Sequence, residues 1–150
     1  MTTNTNTSKP TGTMAQALIA WHKTKPVCPK NGSNPHFRSK YATLDDIIAT
    51  ITPVLAKHEL NFTQRVIVVD GEDRLQTVLM HDSGQTITDE GVPILNAKGD
   101  AHGLGSGITY AKRYGLSAML GIAADPDDDG NAAVKSAPKP IARATMKGNQ

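Results

Sequence analysis

The sequence predicts an α+β domain: a three-stranded antiparallel β-meander with helices packed on one face. Three observations lead there. Apolar residues recur at helical spacing in two early stretches, and again from about Leu104 or Ser106 to Leu120. Between Asn61 and Thr88 the period shortens and β-branched residues dominate. Two turn-forming runs, Asp70-Gly71-Glu72-Asp73 and Asp82-Ser83-Gly84-Gln85, divide that middle region into three. A chain of 150 residues can bury one modest core but not two.

The elements follow in order. Residues 1–12 are polar and turn-rich, and are expected to form a disordered arm. Met14, Ala17, Leu18 and Trp21 mark a short amphipathic helix that stops before Pro26. Pro26 to Ser39 is rich in Pro, Gly, Asn and Ser and reads as a loop, long enough to suggest a binding role. Thr43-Leu44-Asp45-Asp46 has the spacing of a capping box, with the short Asp46 in place of the usual Glu. Leu44, Ile47, Ile48, Ile51 and Leu55 then line one helix face. Pro53 either kinks that helix or opens a second one capped by Thr52.

Asn61–Val69, Arg74–His81 and Thr86–Thr88 are the three strands, with Val92 to Leu95 as a short edge element. In the last helix Ile108, Ala111, Gly115, Ala118 and Met119 share one side. Thr109, Tyr110, Arg113 and Ser117 share the other. The small residues Ala111, Gly115 and Ala118 suit close packing against the sheet. The stretch beyond Asn131 is Ala/Pro/Lys-rich, so the expected organisation is an arm over 1–12, a core domain over 13–131 and a flexible basic tail over 132–150.

Sixteen basic residues against fourteen acidic ones leave a net charge of only +2, so the distribution is more informative than the sum. Residues 1–40 hold Lys9, Lys23, Lys25, Lys30, Arg38 and Lys40 and no carboxylate, whereas 65–100 is net acidic. This asymmetry fits a positive surface that meets a polyanion, or a solvated basic arm. One cysteine, Cys28, cannot form an internal disulfide, which fits a reducing cytoplasm. No apolar run approaches a membrane span, and the N-terminus lacks a signal-peptide core.

Three segments are candidates for chemistry. In Asn34-Pro35-His36-Phe37-Arg38-Ser39-Lys40-Tyr41, Arg38 and Lys40 can meet phosphates, and Phe37 and Tyr41 can stack on bases. Tyr41 leads into a helix start, so it is equally a candidate core anchor. The second segment is Gly103 to Gly115, with Lys112 and Arg113 bracketed by Tyr110 and Tyr114. Its glycines match neither a P-loop nor a dinucleotide fingerprint. They suit close backbone approach, either to an anion at a helix start or to a neighbouring element. The third is Asp125-Pro126-Asp127-Asp128-Asp129-Gly130. Asp125 follows a helix C-terminus, where the dipole disfavours an anion unless a cation faces it. A neighbouring subunit's Lys or Arg would serve, as would a metal ion; the alternative is a simple solvated acidic loop. The five histidines are scattered, with His81 and Asp82 at most a local hydrogen-bond pair. No metal-ligand spacing and no catalytic constellation emerges, so neither metal, cofactor nor enzymatic activity is expected.

Taken together, three blocks resemble the phage Erf family of single-strand annealing recombination proteins. They are Ser39 to Ile47 with Pro53 to Leu60, then Leu79 to Gly84, and then Gly105 to Leu116 through Leu120-Gly121-Ile122 and Asp127 to Gly130. Their order and spacing match over roughly residues 14–131. The resemblance implies a protein that binds single-stranded DNA, anneals complementary strands without ATP, and assembles into rings or filaments in the cytoplasm of the bacterial host. It implies a core like that of the eukaryotic strand-annealing proteins, and partners such as a phage exonuclease or a host single-strand-binding protein. Carried over position by position, Lys40 and Tyr41 fall at the family's lysine–tyrosine position, and Lys112 and Arg113 at its basic pair. With Arg38, Tyr110 and Tyr114 these form the expected DNA-binding set. Gly107 and Gly115 stand where the family commonly has alanine, which weakens intrinsic helicity by about 1 kcal/mol each. Longer relatives add a C-terminal domain that this chain is expected to lack. Replacing Lys112 and Arg113 together with alanine is expected to weaken DNA binding and spare the fold. The rival readings are a ring-forming phage assembly protein without DNA activity, and a metal-dependent nuclease using the cluster Asp125, Asp127 and Asp128.

Overall fold

Thr13 caps the first helix, α1 (Met14–Thr24), in the computed structural model, which describes residues 12–36 and 38–125. Its hydroxyl accepts from the Gln16 N–H at 3.3 Å, and the Gln16 amide oxygen accepts from the Thr13 N–H at 2.9 Å. These reciprocal bonds satisfy two donors at the helix start. Met14, Ala17 and Trp21 form the buried face. The Trp21 indole is fully enclosed and donates to the Leu120 carbonyl at 2.9 Å, which ties α1 to the far end of the domain.

The segment read as a loop contains a small hairpin. β1 (Gly32–Asn34) pairs antiparallel with β2 (Ser39–Tyr41), in register Gly32↔Tyr41. Three-residue strands carry too little alternation to register as a period, which is why composition alone suggested a loop. The pair is held by a side chain laid over a bare backbone. A Cβ on Gly32 would lie 2.6 Å from the Tyr41 ring.

α2 (Leu44–Lys57) begins as expected. Thr43 Oγ1 accepts from the Asp46 N–H at 3.1 Å, and Asp46 Oδ2 accepts from the Thr43 N–H at 3.0 Å. The helix runs through Pro53 as one element, with no second start at Thr52. Ile47, Ile51 and Leu55 are buried, but Ile48 points outward at 37 % exposure. Hydrogen bonds, first from Thr43 and then from Asn31, hold the Asp46 carboxyl below its ordinary range. A carboxylate lowered on folding contributes stability above the unfolded value, and that contribution is lost as pH falls through the folded one. Thr43→Ala removes the helix N-cap hydroxyl and, on that ground alone, is expected to cost about 1 kcal/mol at neutral pH. The gap to wild type should narrow below about pH 4. Urea unfolding followed by Trp21 emission at pH 7 and pH 3 measures both.

The meander follows. β3 (Leu60–Val69) and β4 (Glu72–His81) pair along their whole length, from Leu60↔His81 to Val69↔Glu72. Asp70 and Gly71 alone make the turn, at φ 52° and 80°. Left-handed backbone at both positions matches the twist of the strands, and Asp-Gly supplies it cheaply. β5 (Thr86–Thr88) and β6 (Val92–Pro93) then share the other edge of β4, opposite Val78–Met80 and Arg74–Leu75 respectively. Asp89 spans the gap between them, its Oδ1 accepting from the N–H groups of Thr77 and Gly91 at 3.0 Å each. The expected three-stranded meander is thus present, extended to a fourth strand by β6. β6 is shorter than the expected Val92–Leu95 element.

α3 (Ala101–Leu120) lies across the inner face of the sheet, where Leu75, Thr77, Leu79 and His81 alternate as the buried residues of β4. It starts earlier than the expected Leu104 or Ser106, because Asp100 caps it by accepting from the Gly103 N–H at 2.6 Å. It ends at Gly121, in left-handed backbone at φ 63°. Its buried residues are Gly103, Gly107, Ala111, Gly115, Leu116 and Leu120, a stripe at four-residue spacing. Ala118, expected on that side, is exposed. The glycines do not break the helix; three of them let it touch its neighbours. A Cβ on Gly103 would meet the Asn96 side chain, one on Gly107 the Leu95 carbonyl oxygen, and one on Gly115 Thr77 Oγ1 at 2.6 Å. Gln64 fastens the crossing by donating to Thr77 Oγ1 and to the Lys112 carbonyl, both at 3.0 Å. Trp21, Ile47, Ile51, Leu55, Leu79, Leu116 and Leu120 fill the core between the helices and the sheet. Each such side chain contributes about 1.5–3 kcal/mol on burial.

Residues of the expected arm up to Thr11, the acidic run from Asp127 to Asp129 and the expected basic tail over 132–150 lie outside the described residues, as does Phe37. Among the described residues no helix is long and apolar enough to cross a membrane.

Candidate nucleic-acid interface

Three segments converge on one side chain, the Arg113 guanidinium. The first is the end of β2, which brings Tyr41 and the Ala42 carbonyl. The second is the middle of α3, which carries Tyr110, Arg113 and Tyr114 within five residues. The third is the chain after α3, which returns beside β2 so that the Ala42 N–H donates to the Ala124 carbonyl at 2.8 Å. That return places Asp125 against α3.

Arg113 is held from all three. Its Cζ lies 4.5 Å from the Tyr41 ring centroid, 5.0 Å from that of Tyr114 and 5.7 Å from that of Tyr110. Such cation–aromatic contacts are worth about 0.5–2 kcal/mol each, rising with desolvation. Its Nη1 donates to Asp125 Oδ1 at 2.9 Å and, more weakly, to the Ala42 carbonyl at 3.5 Å. The Tyr114 hydroxyl donates to the other carboxylate oxygen, Oδ2, at 2.6 Å. The Arg113 side chain is 13 % exposed and that of Asp125 31 %. Burial, and then the bond to Asp125, raise the Tyr114 phenol well above the ordinary tyrosine range. Tyr110 and Tyr114 stack with centroids 4.3 Å apart, tilted by 35°.

The cation required beside Asp125 is therefore supplied by the same chain, from the helix that precedes it. Neither a neighbouring subunit nor a metal ion is needed to offset the helix dipole there. Both carboxylate oxygens are already engaged, and among the described residues no group of three or more His, Cys, Asp or Glu side chains is arranged to hold a metal. His81 bonds through Nδ1 to Ser83, and its Nε2 lies 3.8 Å from Glu59, so its neighbours are these two rather than Asp82.

Beside the cluster runs a groove of about 630 Å³, between the β2–α2 junction and the first half of α3. Tyr41, Thr43, His102, Thr109, Tyr110 and Arg113 are among its walls. Of the seven residues selected from the sequence, Tyr41, Tyr110, Arg113 and Tyr114 thus form one contiguous cluster. Lys40 and Arg38 are exposed on and before β2, with Arg38 in left-handed backbone at φ 50°. Lys112 is half-buried, and its carbonyl is the one that Gln64 holds. Sequence reasoning did not link Asp125 to Arg113, nor bring Thr43 or His102 to the same groove. The twelve-residue separation of Arg113 and Asp125 across a helix end was the only available signal.

The family model described as the ERF superfamily matches residues 14–150 of the chain. No curated protein and no solved structure matches it.

Proposed function

The chain belongs to the ERF superfamily, and on that premise we propose that it binds single-stranded DNA and anneals complementary strands in phage recombination, without ATP. The observation that best supports this reading is the aromatic-and-cation cluster at the edge of an open groove. Tyrosine faces and an arginine are a sequence-tolerant surface for single strands. In this reading Lys40, Arg38 and Lys112 contribute phosphate contacts, which give affinity without reading bases.

Annealing then requires no bond chemistry. A protein that fixes the backbone and leaves base edges accessible lets a second strand test complementarity. Assembly into a ring or filament sets many such grooves in a row and raises the effective concentration of one strand near the other. Homo-oligomerisation is part of the proposal, as are partners of the exonuclease or single-strand-binding kind.

Anisotropy of a labelled single strand, with annealing of complementary labelled strands, tests the reading. Binding at low salt with little sequence preference and accelerated annealing without nucleotide or cleavage are expected. No detectable binding at low salt overturns it. Lys40→Ala and Lys112→Ala should each weaken binding alike for all sequences. Each should also flatten the log–log salt dependence by about 0.7 if its ammonium meets a phosphate. An unchanged slope removes that lysine from the interface.

A further inference from the structure

Tyr110 borders two hollows at once. One is the 630 Å³ groove beside Arg113; the other, about 280 Å³, is lined by Leu95, Ala97, Lys98, Ser106 and Gly107 together with the same ring. The smaller hollow has mostly apolar walls, and its mouth is open. Leu95 is 69 % exposed and Tyr110 49 %. At Gly107 the helix contributes backbone rather than side chain, with the Leu95 carbonyl against it.

The three tyrosines of the cluster are not equally free. The Tyr41 ring is held against the Gly32 backbone and the Arg113 guanidinium. The Tyr114 hydroxyl is committed to Asp125. Tyr110 is the most exposed of them: one face of its ring stacks on Tyr114, and the remainder stands as a partition between a cationic groove and an apolar hollow.

Resting on the reading of the chain as a single-strand binder, we infer that the hollow beside Leu95 and Ala97 receives one unstacked nucleobase, with Tyr110 as the wall separating it from its neighbour in the groove. The size admits a single planar heterocycle. Its apolar walls and aromatic partition suit a base face, which stacks on any aromatic ring whatever the base. Lys98 on its rim complements the phosphate that must pass over the partition. The hollow shares Tyr110 and Ser106 with the groove proposed for the strand. A second copy of the chain is a poorer occupant, because a stable dimer needs about 800 Å² from each partner and this hollow is one ring wide.

The test compares two labelled strands of equal length, one of thymidine and one built of abasic residues, by anisotropy. Tyr110→Ala is expected to raise the Kd for the thymidine strand roughly 5- to 150-fold and to leave that for the abasic strand unchanged. Tyr110→Trp should restore binding. Ala97→Leu adds volume to the hollow from an exposed position while leaving Tyr110 itself unchanged, and should weaken the thymidine strand alone. Trp21 emission checks that Tyr110→Ala and Ala97→Leu are folded, and circular dichroism does so for Tyr110→Trp, which carries a second tryptophan; if Tyr110→Ala is not folded, Ala97→Leu decides. Equal losses on both strands, or no loss in a folded variant, overturn the inference. So does a drop in assembly mass by light scattering with strand affinity intact, which would give the hollow to a second copy. A wild-type protein that binds neither strand defeats the single-strand reading itself.

Discussion

Gly107→Ala should destabilise the domain by about 2–3 kcal/mol, although the same substitution in an open helix would stabilise it. Helix propensity alone favours alanine over glycine by about 1 kcal/mol. Packing opposes it here. The added Cβ would collide with the backbone carbonyl of Leu95, which cannot rotate away as a flexible side chain could. Overpacking of this kind costs about 1–3 kcal/mol, or more where backbone must move, so sterics outweigh propensity. Gly105 is the internal control. It sits two residues earlier with nothing within 4 Å of its missing Cβ, and Gly105→Ala should stabilise by up to about 1 kcal/mol. Urea midpoints read by Trp21 emission separate the two, and a stabilising Gly107→Ala would show that the 94–98 segment is not packed on α3.

Arg113→Ala should cost a similar amount, about 2–3 kcal/mol, before any effect on a ligand. The substitution removes three ring contacts and leaves the Asp125 carboxylate, two-thirds covered, with only the Tyr114 hydroxyl. An exposed ion pair would be worth well under 1 kcal/mol, and a fully buried one broken from one side about 3–5. This pair lies between, and the cation–aromatic contacts add to it. Arg113→Lys keeps the charge but not the planar fork, so it should recover only part of the loss. The joint Lys112 and Arg113 substitution expected from the sequence to spare the fold is accordingly expected to weaken it as well. Thermal unfolding of the single variants locates the cost. Equal midpoints for wild type and Arg113→Ala would mean that the cluster does not hold the 124–125 segment.

Local chemistry made much of this fold legible. Thr43 with Asp46, the Asp70-Gly71 turn and the β-branched run from Val66 each specify their geometry within a few residues, although Glu72 and Asp73, expected in the turn, are already part of β4. What escaped was tertiary in origin. The β1–β2 hairpin depends on the Tyr41 ring lying over Gly32, a contact no period announces. The first turn of α3 hides in a run of alternating glycines, which look like a loop until the packing of Gly103 and Gly107 is known. The site behaves in the same way. Its residue types stood out as two basic, aromatic segments, but their meeting depends on how β2 and α3 are brought together. Asp125 looked like an orphaned anion because its partner lies on the other side of a helix end. Ile48 and Ala118 were misplaced by a helical period applied too broadly, since one apolar residue in a stripe's shoulder can face either way.

The bond from the Trp21 indole to the Leu120 carbonyl spans 99 residues of sequence. On a ribosome the first helix is made early and waits, its indole N–H without its final acceptor, until the end of α3 has emerged. The core around Trp21 also draws on Leu116 and Leu120, so it closes only when the described domain is nearly complete. Long-range closure of this kind slows folding, because the chain gives up the entropy of a large loop before the contact rewards it. Trp21 emission is therefore a clock for the last step of assembly of this domain, and nascent chains halted before residue 120 should lack its folded signal.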